Sequence, residues 1–281
     1  MFENRKVAFI GPGVMAEAMI AGLIRQDVTQ PDGIIVAGPR AERGQELEVR
    51  YGITSFTDNA EAARPADVVV LSVKPQRLSH VLDGLLGAVR PEALVLSIIA
   101  GAPIDKIAAG LRHANIVRSM PNTPAQIGEG ITVWTAAGSV SEEQREMARQ
   151  ILLALGKEIF VEEEYYLDMA TALSGTGPAY VFLFMEAMVD AGVHLGFPRR
   201  VAEELVAQTV RGSVDYYTNR GDPVHLARLR NQVTSPGGTS AAALYYLDKA
   251  GFRTAISRAI WAAYERSQEL GKGGLGHSPE G

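Results

Sequence analysis

Residues 7–16, VAFIGPGVMA, join a strand-like apolar run to a glycine turn and the first turn of a helix. Nothing else in the chain narrows the choice of folds so far. Gly11 permits the tight turn, Gly13 lets the backbone come close to a bound group, and Ala16 keeps the helix close to the strand. The helix start then offers amide groups that lack acceptors and a partial positive charge. Strand, turn and helix in this order match the G-x-G-x-x-G/A fingerprint that cradles a dinucleotide's pyrophosphate, with Ala16 in the third place.

The rest of the first half agrees. Ile34 to Ala37, Asp67 to Val73 and Leu94 to Ile99 read as further strands. They alternate with helical stretches such as Val14 to Gln26 and Ala41 to Tyr51. Strands that are apolar throughout imply a parallel sheet covered on both faces, so the expected fold is α/β, a doubly wound (Rossmann-type) domain. After the acidic triplet Glu162-Glu163-Glu164, strand-like runs nearly vanish. Helical patterns take over: Tyr165 to Leu173, Pro178 to Leu195, Pro198 to Asn219, Gly238 to Ala250 and Phe252 to Leu270. The expected division is a dinucleotide-binding domain over 1–162, an all-helical domain over 163–271 and a disordered tail over 272–281. The triplet itself reads as the solvated face of a linker. The stretch around Tyr180, Phe184, Met188 and Val189 is apolar on most sides, and must be buried within its domain or against another subunit.

Composition removes several function classes. The net charge is -5 and no basic run exists, which argues against a nucleic-acid partner. The chain has no cysteine, so disulfides, thiolate metal sites and a cysteine nucleophile are excluded. The five histidines have no metal-ligand spacing, and none sits in a catalytic motif. Met1 to Lys6 lacks the apolar stretch of a signal peptide, and no run approaches the ~20 apolar residues of a membrane span. The expectation is a cytoplasmic chain without metal or membrane partner.

The end of the second strand bears on which dinucleotide is used. Ala37-Gly38-Pro39-Arg40 carries no acid to hold a ribose 2′-hydroxyl, and Arg40 suits a 2′-phosphate. NADP(H) is therefore preferred over NAD(H), which stays possible; a surface arginine at a helix start is the competing reading. Ser72-Val73-Lys74-Pro75 and Ile99-Ala100-Gly101 follow strands and should border the cofactor. Lys74 either faces phosphate or ribose, or is plain solvated surface.

The chemistry is read partly from what is missing. Hydride transfer to a ketone leaves an alkoxide that needs an acid. The β-hydroxyacid dehydrogenases, which share this two-domain layout, carry a lysine for that purpose in G-x-x-G-x-G-x-x-x-K. The nearest segment here, from Ser174 to Val181, has valine at that place, and no lysine lies between Lys157 and Lys249. An imine is easier to reduce: its nitrogen can already carry the proton, and orientation and water exclusion do much of the rest. Thr234-Ser235-Pro236-Gly237-Gly238-Thr239-Ser240 leads into a helix. It fits two readings equally, an anion site for a substrate carboxylate or a capping turn with Thr239 or Ser240 as N-cap.

Taken together, the motifs GPGVMA (11–16), SVKPQ (72–76), MPNTP (120–124), SGTGPAY (174–180) and VTSPGGT (233–239) resemble the pyrroline-5-carboxylate reductase family, from about residue 5 to residue 270. The last is the most specific. The resemblance implies hydride transfer from NAD(P)H to the imine carbon of 1-pyrroline-5-carboxylate, giving L-proline. By motif, Val14, Met15 and Ala16 carry the pyrophosphate. Gly38, Pro39, Arg40 and Asn59 lie at the adenosine end, and Val73, Lys74 and Ala100 at the ribose and nicotinamide. Met120, Pro121 and Asn122 face the nicotinamide pocket. Ser235, Gly237, Gly238, Thr239 and Ser240 form the substrate site, with Thr239 or Ser240 near the imine nitrogen. The resemblance also implies a homodimer, or an oligomer of dimers, through interleaved helical domains. Two departures stand out: Ser240 where many members have threonine, and a segment from Gly221 to Asn231 that is a few residues longer than usual. Reduction of a related cyclic imine acid and a non-catalytic NADP-binding regulator are the alternatives.

Overall fold

A computed structural model describes residues 2–271; the tail expected over 272–281 lies outside them. An eight-stranded sheet has the order β3-β2-β1-β4-β5-β6-β7-β8. The strands are β1 (Val7–Ile10), β2 (Ile34–Ala37), β3 (Thr54–Phe56), β4 (Val68–Leu71), β5 (Leu94–Ser97), β6 (Ile116–Met120), β7 (Gly130–Ala136) and β8 (Gly156–Phe160). Neighbours pair in parallel except β6 and β7, so the last two strands run against the rest. β1, β2, β4 and β5 are buried at every residue. Their alternation sends Val7, Phe9, Val68, Val70, Leu94 and Leu96 into one core layer. Helices α1 (Val14–Arg25), α2 (Ala41–Tyr51) and α6 (Glu142–Leu153) cover that layer. Ala8, Ile10, Val69, Leu71 and Val95 enter the other layer, under α3 (Asn59–Ala63), α4 (Leu78–Leu85) and α5 (Ile104–Leu111). Period-two side chains between two helical layers explain why these strands show no polar face.

The expected doubly wound domain is present, and it is larger than the sequence suggested. β3, β6, β7 and β8 are additional. β6 does not read as a strand because Arg118 and Ser119 interrupt its apolar run, yet both are buried. The Ser119 hydroxyl donates to the Ser97 carbonyl at 3.0 Å, and Arg118 is ion-paired.

By contacts the described chain forms two compact units, residues 2–177 with 262–271, and residues 178–261. This division differs from the junction expected at 162/163. α7 (Tyr166–Ala170) and the π-helical turn Thr171–Gly175 belong with the sheet, as do the last residues of α12 (Phe252–Gly271). Arg118 supplies one cause. Its guanidinium, only 4% exposed, binds Glu164 at 2.9 Å and Asp168 at 2.8 Å. The Ser267 hydroxyl donates to the same Asp168 oxygen at 2.9 Å, and the amide of Ile104 to Glu164. The acidic triplet is therefore not simply a solvated linker face: Glu164 neutralises a buried arginine.

The second unit contains α8 (Gly177–His194) from residue 178 onward, α9 (Arg199–Thr218), α10 (Leu226–Gln232), α11 (Thr239–Lys249) and the start of α12. Its buried apolar cluster is small: Val189, Ala202 and Val206, with Met185, Met188, Val193 and Val210 against it. The helical run Tyr166–His194 is long and apolar enough, by length and composition, to cross a membrane. No run of that length was expected from the sequence; the helices on either side of the π turn together make it.

Candidate functional site

The glycine turn is held from several sides. The amide of Gly11 donates to the Ala37 carbonyl at 2.8 Å, and that of Gly13 to the Gly11 carbonyl at 2.8 Å. Gly11 has φ +98°, and a Cβ there would lie 2.6 Å from Val73 Cγ1, so conformation and space both require glycine. The Ser72 hydroxyl lies 3.0 Å from the Ile10 carbonyl oxygen and 2.9 Å from that of Gly11, which ties the turn to the end of β4. A Cβ on Gly38 would strike Pro12 at 2.6 Å. Gly13 is different. A Cβ there would meet no protein atom within 4 Å, so this glycine keeps open the space in front of the helix. Gly13 is also the N-cap of α1 and provides no side-chain cap, while Ala16 is fully buried against the sheet. The first amides of α1, from Val14, Met15 and Ala16, have no carbonyl one turn back. The turn thus fits a bound pyrophosphate.

Beyond the turn lies a cavity of about 650 Å³, lined among others by Gly11, Gly38, Pro39, Asn59 and Val73. Arg77 and His80 also line it; Arg40 and Lys74 do not. Arg40 stands exposed as the N-cap of α2. Lys74 is exposed at the start of a 3₁₀ turn. Neither residue is among those expected from the motifs to border the cofactor, although His80 is exposed on its helix. A signal existed: Arg77, His80, Val81 and Gly84 recur at helical spacing, so one face of α4 and its lead-in turn borders the cavity. The wall also holds Asp58 and Asp83. The lack of an acid at the end of β2 is therefore not a lack of acid in the cleft, although Asp58 is engaged in capping α3 through the Ala60 amide at 2.9 Å.

At the end of β6, Asn122 is held from two sides. The Asn122 side chain accepts from the Ile131 amide at 3.0 Å and donates to the Ser174 carbonyl at 3.2 Å. Both ends of its amide are thus used to fasten β7 and the π turn. Met120 packs against that turn, since a Cβ on Gly175 would lie 2.6 Å from Met120 Cε. Ala100 precedes Gly101, where φ is +65° and a Cβ would meet Leu270 and Ser267 at 2.8 Å.

In the helical unit, Gly238 is the N-cap of α11 and has no side-chain cap. Thr239 and Ser240 are the first helical residues, so neither plays the capping part. A Cβ on Gly238 would come within 2.5 Å of Ser235 Oγ, and Gly237 has φ +71°. The Thr234 hydroxyl is turned back to the Arg230 carbonyl at 2.7 Å. The result is a helix start whose first amides lack intrahelical carbonyls, with Thr239 and Ser240 in its first turn. Among the other histidines, His113 is buried with Nε2 2.8 Å from the Ala93 carbonyl oxygen, and His225 caps α10. Among the described residues, no group of acids and histidines could hold a metal ion.

A doubly wound sheet with an open, uncapped glycine turn and a cavity beyond its strand ends marks a dinucleotide-binding protein. Residues 164–270 match the family model described as pyrroline-5-carboxylate reductase dimerisation, and residues 6–101 the model described as NADP oxidoreductase, coenzyme F420-dependent. The chain belongs to the pyrroline-5-carboxylate reductase family. Pyrroline-5-carboxylate reductase of Synechocystis is 44% identical over 268 residues, covering 95% of this chain and 98% of its own. That of Pseudomonas aeruginosa is 42% identical over 266 residues, with 94% and 96% covered. A crystal structure of pyrroline carboxylate reductase from Plasmodium falciparum with NADP bound has a TM-score of 0.87 at 32% identity, with 96% of this chain and 99% of that one covered.

Proposed function

We propose that this chain is a cytoplasmic, homodimeric enzyme, or an oligomer of dimers, that reduces 1-pyrroline-5-carboxylate to L-proline with NADPH, NADH being the poorer donor. The observation that carries this reading is the similarity to pyrroline-5-carboxylate reductases over nearly the whole chain. Residues 1–162 serve the dinucleotide, and 163–271 the substrate and the dimer. The first amides of α1 hold the pyrophosphate against Gly11 and Gly13. Gly38, Pro39, Asn59 and Arg40 receive the adenosine end, and Val73, Lys74 and Ala100 the ribose and nicotinamide. Met120 forms part of the nicotinamide pocket, and Asn122 holds its wall in place. When bound, the dihydronicotinamide supplies the hydride that the imine carbon accepts. The helix start at Ser235, Gly237, Gly238, Thr239 and Ser240 binds the substrate carboxylate. A hydroxyl of Thr239 or Ser240 hydrogen-bonds at the imine nitrogen and orients it. No strong acid is needed, because a protonated imine becomes a neutral amine on reduction.

The test is NADPH oxidation with synthetic 1-pyrroline-5-carboxylate, beside 1-pyrroline-2-carboxylate, NADH and the Arg40→Ala variant. Fast turnover is expected with the first imine and NADPH. Loss of one charge-assisted contact should raise the NADPH KM of the variant by roughly 10- to 150-fold, with NADH little changed. Turnover confined to another imine overturns the substrate, and equal effects on both cofactors overturn the role of Arg40.

A further inference from the structure

Glu17 lies in the first turn of α1, one turn from Gly13, at the helix end proposed above for the pyrophosphate. A carboxylate there is favoured by the helix dipole, but it opposes a second anion at the same place. Two guanidinium groups answer it. Arg43 and Arg50 both form ion pairs with Glu17, and the Tyr51 hydroxyl donates to it at 3.1 Å. Glu46 pairs with the same arginines at 2.7 and 3.2 Å, so two carboxylates face two guanidinium groups and the cluster is neutral. Burial alone would raise the Glu17 carboxyl, but hydrogen bonds from Arg43, Tyr51 and Arg50 overcome this and hold it below the ordinary range.

Arg43 makes one more contact. Its Nε donates to the Pro12 carbonyl at 3.1 Å. The amide at the other end of that peptide group, from Gly13, donates to Gly11. The Pro12–Gly13 peptide is therefore held at both ends, and its orientation sets how the following amides point.

We infer that Arg43 is a positioning residue of the dinucleotide site, which cancels the charge of Glu17 at the phosphate-binding helix end and fixes the Pro12–Gly13 peptide. The inference rests on the proposed cofactor reading. NADPH and NADH share the pyrophosphate, so both depend on Arg43 to the same degree; Arg40, by contrast, separates them.

The experiment titrates the intact enzyme with NADPH and with NADH by quenching of its fluorescence, using wild type, R43Q, R43K, E17Q and the double variant E17Q/R43Q. R43Q leaves Glu17 and Glu46 facing one arginine, and should weaken both cofactors by the same factor, about tenfold. Removing Glu17 as well should restore binding to within about threefold of wild type, and E17Q alone should bind no more weakly than wild type. R43K keeps the charge and loses the Pro12 bond, so its loss should be smaller than that of R43Q. A merely structural arginine would change the melting temperature of the variants without a matching change in cofactor binding. An unchanged R43Q, a loss confined to NADPH, or a double variant no better than R43Q overturns the inference. If R43Q fails to fold, E17Q and R43K decide: weaker binding by E17Q overturns it. A wild-type chain that binds neither dinucleotide overturns the functional reading and the inference together, whereas normal wild-type binding with an indifferent R43Q overturns the inference alone.

Discussion

The two compact units treat apolar side chains in opposite ways. In the sheet unit, strands and helices bury theirs in two layers, so that Phe9, Ile10, Leu71 and Leu96 are inaccessible. In the helical unit, taken alone, Leu183 is 67% exposed and Leu195 83%, and Phe182, Tyr245 and Tyr246 are also exposed. Helices α8 and α9 enclose only a small cluster. Apolar residues make the first unit's own core, whereas in the second many large ones remain exposed. A second copy is the occupant we propose for that surface, because the residues concerned lie within the span matched by the dimerisation model. On that proposal the exposed face of the membrane-length helix is the one that a second copy covers.

The largest expected effect comes from attacking the second pattern. Leu183→Asp places a carboxylate on the exposed face of α8 and should cost on the order of 4 kcal/mol of association free energy. Size-exclusion chromatography should then show a monomer where wild type shows a dimer, and melting should lose its dependence on protein concentration. A wild-type chain that is monomeric at every concentration would end the comparison. Next in size is Leu96→Ala in β5, a fully buried side chain of the sheet unit. The lost transfer energy and the cavity together should cost about 3 kcal/mol. Here the denaturant midpoint should fall equally at all protein concentrations while dimer dissociation is unchanged. A Leu96→Ala loss that varies with concentration would mean that the two units do not divide their work in this way.

The same contrast explains what was legible in the sequence. β1, β2, β4 and β5 are buried on both faces, so their composition alone reveals them. β6 hides because Arg118 pairs with Glu164 and Asp168, acids 46 and 50 residues further on; a local window sees only charge. The expected helix from Tyr165 to Leu173 stops short of Ser174 and Gly175, the end of the π turn, in which the Thr171 and Ser174 hydroxyls return to carbonyls one turn back. In the site, the glycine turn is local and could be read directly. Arg77 and His80 share a helical face with Val81 and Gly84, but that this face borders the cavity depends on how α4 packs on the sheet. The role of Asn122 depends on Ile131 and Ser174, and so on tertiary structure. The capping alternative at Thr239 was undecidable from spacing, because either residue type suits a helix start.

The smallest expected effect concerns charge, and it sharpens the comparison. In the sheet unit Glu17 is partly buried among Arg43, Arg50 and Tyr51. In the helical unit Asp190 pairs with Arg199 at 2.8 Å, but both side chains are more than half exposed. Such a surface pair contributes little. The folded chain holds Glu17 below its ordinary value of 4.5. A depressed carboxyl stabilises the fold fully above its unfolded value, and that contribution disappears as pH falls through the folded value. Melts of wild type, Glu17→Gln and Asp190→Asn from about pH 6 to about pH 3 read this difference. Glu17→Gln should be less stable than wild type at the upper end and should converge with it toward the lower, as the wild-type carboxyl takes up its proton. Asp190→Asn should follow wild type throughout. Parallel curves for wild type and Glu17→Gln would show that the fold gains nothing from the ionised carboxylate. The partly buried cluster in the sheet unit and the surface pair in the helical unit would then be energetically alike.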